Sequence, residues 1–217
     1  MKRQRKQTKT GESLSGQMAW NQSEQAALRR LRTPREIQSF VDDLTYSVDN
    51  FTRSARGALA LKRAHCFDGA LVAAAALEFH GERPLLLDLR AVRDEDHVLA
   101  VYKRGKHFGA IAKSKFSGLR FREAVYLSVR ELALSYFEHY FNFAKQKTLR
   151  EFSVPLDLAK VTSVDWRYSL EPVDVLADTL DALPHTDILT PEMARSLSRV
   201  DDNMFRAGAG RWTSRKG

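Results

Sequence analysis

The sequence predicts an α+β fold in which a cysteine-bearing helix packs on an antiparallel sheet and a long amphipathic helix follows. Three observations predict it: an alanine-rich apolar run after the sole cysteine, three short apolar segments separated by turn residues, and an apolar stripe at helical spacing. The alanine-rich run occupies 70–77, and polar residues precede it, so we expect a buried helix from about Cys66 to His80. Gly81 then ends the helix, as glycine commonly does at a helix C-terminus.

The sheet is predicted from three segments that follow the helix. Residues 85–91 are leucine-rich and predict a buried strand, and 97–102 predict a second strand after the acidic turn at 93–96. Residues 103–106 form a basic, glycine-containing turn, and 107–112 form a third strand. The order of elements is therefore a helix followed by an antiparallel meander.

The apolar stripe predicts the long amphipathic helix over 123–145, because its members recur at a spacing close to 3.6 residues. The stripe consists of Val125, Val129, Leu132, Tyr136, Tyr140 and Phe143. Beyond it, 148–157 is predicted to be extended, and 171–182 and 191–199 are predicted to be short helices. The aromatic members of the stripe are interpreted as packing residues.

A second helix start is visible near the N-terminus. Thr33 is a suitable N-cap, Pro34 fits the first helical position, and Glu36 completes a capping box. The preceding residues 23–31 predict a further short helix.

The positive charge of the chain is concentrated at its ends. The net charge is +8, yet residues 1–10 carry five basic and no acidic side chains, and residues 206–217 carry four basic and none acidic. The rest of the chain therefore sums to −1. We expect a disordered basic tail over 1–22, one domain over 23–190, and a C-terminal helix with a basic tail over 191–217. Nucleic acid is predicted only as a weak, salt-sensitive partner of the tails.

Composition excludes several classes of protein. A single cysteine excludes an internal disulfide framework and favours a reducing compartment, so we expect a cytoplasmic protein. No apolar run reaches the roughly 18 residues of a membrane span, and no apolar segment follows the basic N-terminus as a secretory signal requires. No phosphate-binding glycine motif or zinc-ligand spacing is present, so no cofactor and no metal are predicted.

The chemistry of the chain is predicted to centre on Cys66. At the start of a helix, unpaired N–H groups and the helix dipole lower the pKa of a thiol. His97 begins a following strand and is placed to accept the thiol proton, an arrangement that produces a thiolate nucleophile. The competing interpretation is that Cys66 is a small buried apolar residue. His65 is interpreted as a capping or surface residue and Asp68 as a first-turn carboxylate that suits the dipole.

Four segments together resemble the core of transglutaminase-like proteins, which belong to the wider papain-like fold. These segments are 64–71 around Cys66, the strand 85–90, the tripeptide 96–98 and the hairpin 105–111. More narrowly, 31–152 resembles a group of uncharacterised, mostly bacterial proteins of that superfamily. The resemblance lies in the order of the elements and in the sequence around the cysteine and the histidine.

The resemblance implies a cysteine-dependent protein that acts on an amide or ester carbonyl of a peptide or protein substrate. Cys66 is then the nucleophile, His97 the general base, and an Asp or Asn the third member of a catalytic triad. Backbone N–H groups at the helix start form the oxyanion hole. The implied reactions are those of a cysteine protease, a deamidase or an acyl transferase.

The third member is the point at which this chain departs from the family pattern, because it normally lies on the strand after the histidine. Residues 99–121 contain no Asp, Asn, Glu or Gln. A hairpin turn centred on 104–105 places Ala112 opposite His97 and Ser114 diagonally on the same face. Ser114 can accept the ring N–H but supplies no charge.

Asp88, on the neighbouring strand, is the other candidate for orienting His97. The candidate catalytic set is therefore Cys66, His97, Ser114 and Asp88. Two further alternatives remain: Cys66 and His97 act as a dyad, or the domain is a catalytically impaired papain-like module that binds a peptide or protein partner.

Overall fold

The computed structural model describes residues 19–210. Its helices are α1 Gln22–Arg30, α2 Pro34–Asp43, α3 Ala55–Leu61, α4 Cys66–Phe79, α5 Val129–Leu134, α6 Val175–Asp181, α7 Pro191–Ser196 and α8 Asp202–Ala209. Its strands are β1 Thr45–Tyr46, β2 Arg63–Ala64, β3 Leu85–Ala91, β4 His97–Arg104, β5 His107–Ile111, β6 Arg122–Tyr126, β7 Leu149–Ser153, β8 Leu156–Asp157 and β9 His185–Asp187. Of the predicted basic tails, residues 1–18 and 211–217 lie outside the described residues.

The main sheet has seven strands, and its pairings are antiparallel. The order along it is β6-β5-β4-β3-β7-β9, with β8 pairing the other end of β3. The predicted three-strand meander forms its centre as β3, β4 and β5. The predicted α+β class, with a cysteine-bearing helix on an antiparallel sheet, is therefore confirmed.

Helix α4 is buried on nearly every side, which explains its uniformly apolar sequence. It packs against β4 on one side and against α2 and α3 on the other. Its alanines allow these neighbours to approach closely, and Gly69 is needed because a Cβ there would collide with the Lys113 side chain. Close packing thus fixes the start of α4, and with it Cys66, against the end of the sheet.

Strand alternation divides the core into two layers. Leu86, Val98 and Ala100 face the helices α1–α4, whereas Leu87, Leu89, Leu99 and Val101 face the opposite side. The second side is covered by α5 and by the aromatic residues that follow it. A buried sheet with both faces covered accounts for the leucine-rich strands.

The predicted long amphipathic helix over 123–145 is wrong. Residues 122–126 form the strand β6 instead, and α5 begins only at Val129 because Ser128 caps it by accepting the Glu131 N–H. The Glu131 carboxylate also accepts the Leu127 N–H, which fixes the corner between strand and helix. Val125 and Phe143, at the two ends of the stripe, are 62% and 64% exposed.

The hairpin between β4 and β5 turns later than predicted. Arg104 pairs with His107, so the turn consists of Gly105 and Lys106, and Gly105 adopts a positive φ of 58° that glycine tolerates without strain. Ala112 is therefore not opposite His97. Continued past its last pair, this register brings Ser114 level with His97.

The helices between residues 19 and 210 include none that combines the length and the apolar character needed to cross a bilayer.

Candidate functional site

Cys66 is the first residue of α4, and its position is set by a capping box. The N-cap is His65, whose Nδ1 accepts the Phe67 N–H at 3.1 Å, and Asp68 accepts the His65 N–H at 3.3 Å. The capping role predicted for His65 is confirmed. The Cys66 N–H has no acceptor within the helix, as expected for a first-turn residue.

Asp68 is held by Arg53, a residue that no motif in the sequence singled out. The Arg53 backbone N–H donates to the Asp68 carboxylate at 2.7 Å and its guanidinium donates at 3.2 Å. Both side chains are buried, and Arg53 also pairs with Asp49. Burial raises the pKa of Asp68, whereas His65 and Arg53 lower it. The carboxylate two residues after Cys66 is thus occupied in structural contacts.

His97 begins β4 and is oriented by a backbone carbonyl. Its Nε2 lies 2.8 Å from the Leu119 carbonyl oxygen, and a carbonyl can only accept, so Nε2 carries the proton and Nδ1 is the basic nitrogen. The Tyr140 ring lies edge-on to the imidazole at a centroid distance of 6.4 Å. The Tyr140 hydroxyl donates to the Glu95 carbonyl at 2.7 Å, which anchors the turn before His97.

One cavity of about 920 Å³ is lined by Cys66, His97 and Ser114. It is also lined by Tyr46, Asp94, Glu95, Asp96, Lys115, Phe116, Leu119, Tyr140, Phe141, Asn142 and Phe143. Cavities of this size accommodate small ligands or short peptide segments. Three of the four residues selected from the sequence therefore line one cavity.

The protonation state of Cys66 differs from the thiolate that the sequence analysis expected. Burial raises the pKa of the Cys66 thiol to about 11, although the N–H groups of Val98 and Phe67 act in the opposite direction. Burial likewise lowers the pKa of His97 to about 4, against the effect of its bond to Leu119. At neutral pH the site thus holds a neutral thiol and a neutral imidazole, and the predicted net lowering of the thiol pKa is not found. The Cys66 Sγ lies 4.0 Å from the Asp96 carbonyl oxygen.

Ser114 and Asp88 do not contact the imidazole of His97. The Ser114 hydroxyl accepts the Phe116 N–H at 3.0 Å, which stabilises the turn after β5. Asp88 pairs with Val98 across the sheet, so its side chain points to the face opposite to that of His97.

The partner of Asp88 is His185, whose Nε2 lies 3.1 Å from the carboxylate. Burial raises the pKa of Asp88 to about 6, while the hydrogen bond with His185 lowers it. Sequence reasoning missed this pair because it requires β9 to join the sheet. The orienting role considered for Asp88 is thereby replaced by the Leu119 carbonyl.

Carboxylate oxygens of Asp88, Asp96 and Asp181 lie within 4.8 Å of one another, a spacing that a divalent cation can bridge. Each carboxylate already has a partner in the protein. His185 contacts Asp88, the Ala91 N–H donates to Asp96 at 2.7 Å, and Arg90 lies 3.7 Å from Asp181. These contacts account for the cluster without a metal.

No protein-family model matches the chain, and no curated protein matches it.

Proposed function

We propose that the chain is a transglutaminase-like protein of the papain-like fold that carries out cysteine-dependent acyl transfer or amide hydrolysis. Cys66 is the nucleophile and His97 the general base. The observation that supports this proposal is that the sole thiol, at a helix N-terminus, and a single-tautomer imidazole line one accessible cavity. A compartment that keeps thiols reduced, such as the cytoplasm, suits this chemistry.

The reaction proceeds from the neutral pair. As Sγ attacks the substrate carbonyl carbon, the thiol proton moves to Nδ1 of His97, and the Leu119 carbonyl stabilises the imidazolium through Nε2–H. The Phe67 N–H is already bonded to His65, so the Cys66 N–H is the proposed oxyanion donor. The imidazolium then protonates the leaving group as its bond to the carbonyl carbon breaks. Water or an amine finally attacks the thioester and regenerates the thiol.

The test uses a generic activated ester, 4-nitrophenyl acetate, because the natural acyl donor is not needed to detect the nucleophile. The full chain is expected to release 4-nitrophenolate and to gain one acetyl group on Cys66, located by peptide mass spectrometry. Cys66→Ala, which removes the sole thiol, abolishes the adduct. Acetylation confined to lysines, at a rate unaffected by Cys66→Ala, contradicts the proposal.

A second candidate function is a catalytically impaired module of the same fold that binds a peptide or protein. Two observations favour it: the thiol is protonated at neutral pH, and the partner of the His97 imidazole is a carbonyl in place of a carboxylate. This candidate predicts peptide binding in the cavity without any acetyl adduct on Cys66.

A further inference from the structure

The cavity beside Cys66 has an aromatic side that is already assembled. The Phe116 ring lies 5.8 Å from that of Phe141 and 5.9 Å from that of Phe143. Phe205 of α8 packs behind them, at 5.8 Å from Phe141 and 6.4 Å from Phe143. Phe143 is nevertheless 64% exposed. The cavity therefore presents a fixed apolar surface that a large apolar side chain would cover.

The same cavity has an acidic side. Asp94, Glu95 and Asp96 line it from the turn before β4, and Lys115 is the lining cation, with its ammonium 4.4 Å from the centroid of the Tyr46 ring. Three acidic residues and one lysine therefore line the cavity. The resulting negative potential favours a cationic group and repels an anionic one.

The acidic turn is held in place before any ligand arrives. The Thr148 hydroxyl donates to the Asp94 carboxylate at 2.7 Å, and the Ala91 N–H donates to the Asp96 carboxylate at 2.7 Å. Tyr140 fixes the carbonyl of Glu95, whose own side chain is exposed. A ligand would not have to order this turn, which reduces the entropic cost of binding.

We propose that the ligand of this cavity, and the acyl donor for Cys66, is a cationic peptide segment in which a bulky apolar residue stands beside a lysine or arginine. This proposal names the substrate class of the function proposed above and rests on that function for its chemistry. Coenzyme A and other phosphate-bearing thioesters match the aromatic side at most, because the three carboxylates repel their phosphates. A fatty acyl chain would leave the acidic side without a partner.

Binding is measured by fluorescence anisotropy on the full chain carrying Cys66→Ser, at about 0.15 M salt. Three labelled peptides of equal length contain, at the two central positions, tryptophan-lysine, glycine-lysine or tryptophan-glutamate. The tryptophan-lysine peptide is expected to bind about tenfold more tightly, or better, than either of the others. Unlabelled acetyl-coenzyme A is expected not to displace it.

Matched variants separate the contribution of the acidic side of the cavity to peptide binding from that of the aromatic side. Glu95→Gln is expected to weaken binding of the lysine peptide severalfold, whereas Glu171→Gln, at an exposed glutamate outside the cavity, leaves it unchanged. Phe143→Ser is expected to remove the preference for tryptophan, whereas Leu170→Ser, at a similarly exposed apolar residue outside the cavity, retains it.

Equal binding of the three peptides, or displacement by acetyl-coenzyme A, overturns this substrate class. Selective binding with no acetyl adduct on Cys66 of the unsubstituted chain contradicts only the proposed enzymatic function. An adduct without peptide selectivity contradicts only the substrate class. The two proposals therefore fail separately.

Discussion

Two buried imidazoles on opposite faces of the sheet have partners of different kinds. His97 donates to the Leu119 carbonyl and lines the cavity with Cys66, whereas His185 contacts the carboxylate of Asp88. The Asp88 carboxylate, which the sequence analysis considered as a partner of His97, therefore contacts His185 instead. Strand alternation decides this, because Asp88 and the residue that pairs with His97 are neighbours on β3 and point to opposite faces.

The two histidines show that the orientation of an imidazole and the stabilisation of its positive charge are separable. The Leu119 carbonyl fixes the tautomer of His97, but unlike a carboxylate it supplies no negative charge. The imidazole remains neutral over the physiological pH range. In contrast, Nε2 of His185 lies 3.1 Å from the Asp88 carboxylate, and Nδ1 of the same ring lies 2.7 Å from the Leu183 carbonyl oxygen.

The largest expected effect is on the acetylation of Cys66. His97→Gln retains a donor for the Leu119 carbonyl but removes the base, and it is expected to slow acetylation about a thousandfold. The matched variant His185→Gln is expected to leave the rate unchanged. The rates are measured with 4-nitrophenyl acetate under single-turnover conditions, with circular dichroism as the control for folding. Equal losses in both variants contradict the assignment of the two roles.

A smaller effect is expected on the pH dependence of stability. The pKa of His97 is about 4 in the folded chain and near 6.5 when the side chain is free, so the unfolded chain binds more protons between these values. Stability from this group is therefore lost as the pH falls from about 6.5 to 4, by about 3 kcal/mol. Urea unfolding at both pH values measures it, and His97→Gln is expected to remove this part of the loss. An unchanged difference between the two pH values in the variant argues against a buried, neutral His97.

Asp88 is expected to contribute a pH dependence of the opposite sign. Its folded pKa of about 6 exceeds its ordinary value of 3.8, so the folded chain binds more protons in between. Stability from this group falls as the pH rises from about 4 to 6, by about 2 to 3 kcal/mol. The comparison of the unsubstituted chain with Asp88→Asn across this range isolates the contribution. If the contribution of Asp88 to stability instead rises with pH over this range, as that of His97 does, the two sites do not differ in the expected way.

The smallest expected effect is on the thiol itself. The S–H stretching band in the Raman spectrum, which arises from Cys66 alone, is expected to persist at neutral pH and to fade near pH 11. The Glu95 carboxylate raises the pKa of Cys66, so Glu95→Gln is expected to lower the midpoint by about 0.3 pH unit, in the range of solvent-screened charge pairs. Glu171→Gln is the matched control. Loss of the band at pH 7 contradicts the neutral resting pair.

Local patterns predicted the parts of the fold that are governed by local physics. The capping box at Thr33 and Glu36 starts α2, and the alanine-rich run after Cys66 forms α4. The prediction of a long helix was wrong because the positions of its apolar stripe also fit a strand followed by a short helix. Ser128, with Glu131 three residues on, was the visible signal of the new helix start.

The candidate site was predictable in its thiol and imidazole but not in the group that orients the imidazole. The Leu119 carbonyl belongs to the backbone, so the type of residue at that position does not indicate its role. The predicted register of the hairpin was wrong. A turn centred one residue later shifts the β5 partner of every β4 residue by two positions, and Gly105 fits either turn. The Asp88–His185 contact depends on strands that lie 97 residues apart.

The pH profile of Cys66 acetylation tests most directly whether the His97 imidazole accepts the thiol proton. With a neutral imidazole as base, the rate is expected to rise through about pH 4 and then to remain level to about pH 10. A rate that instead climbs about tenfold per pH unit toward pH 11 reflects free thiolate alone, and it would contradict the account.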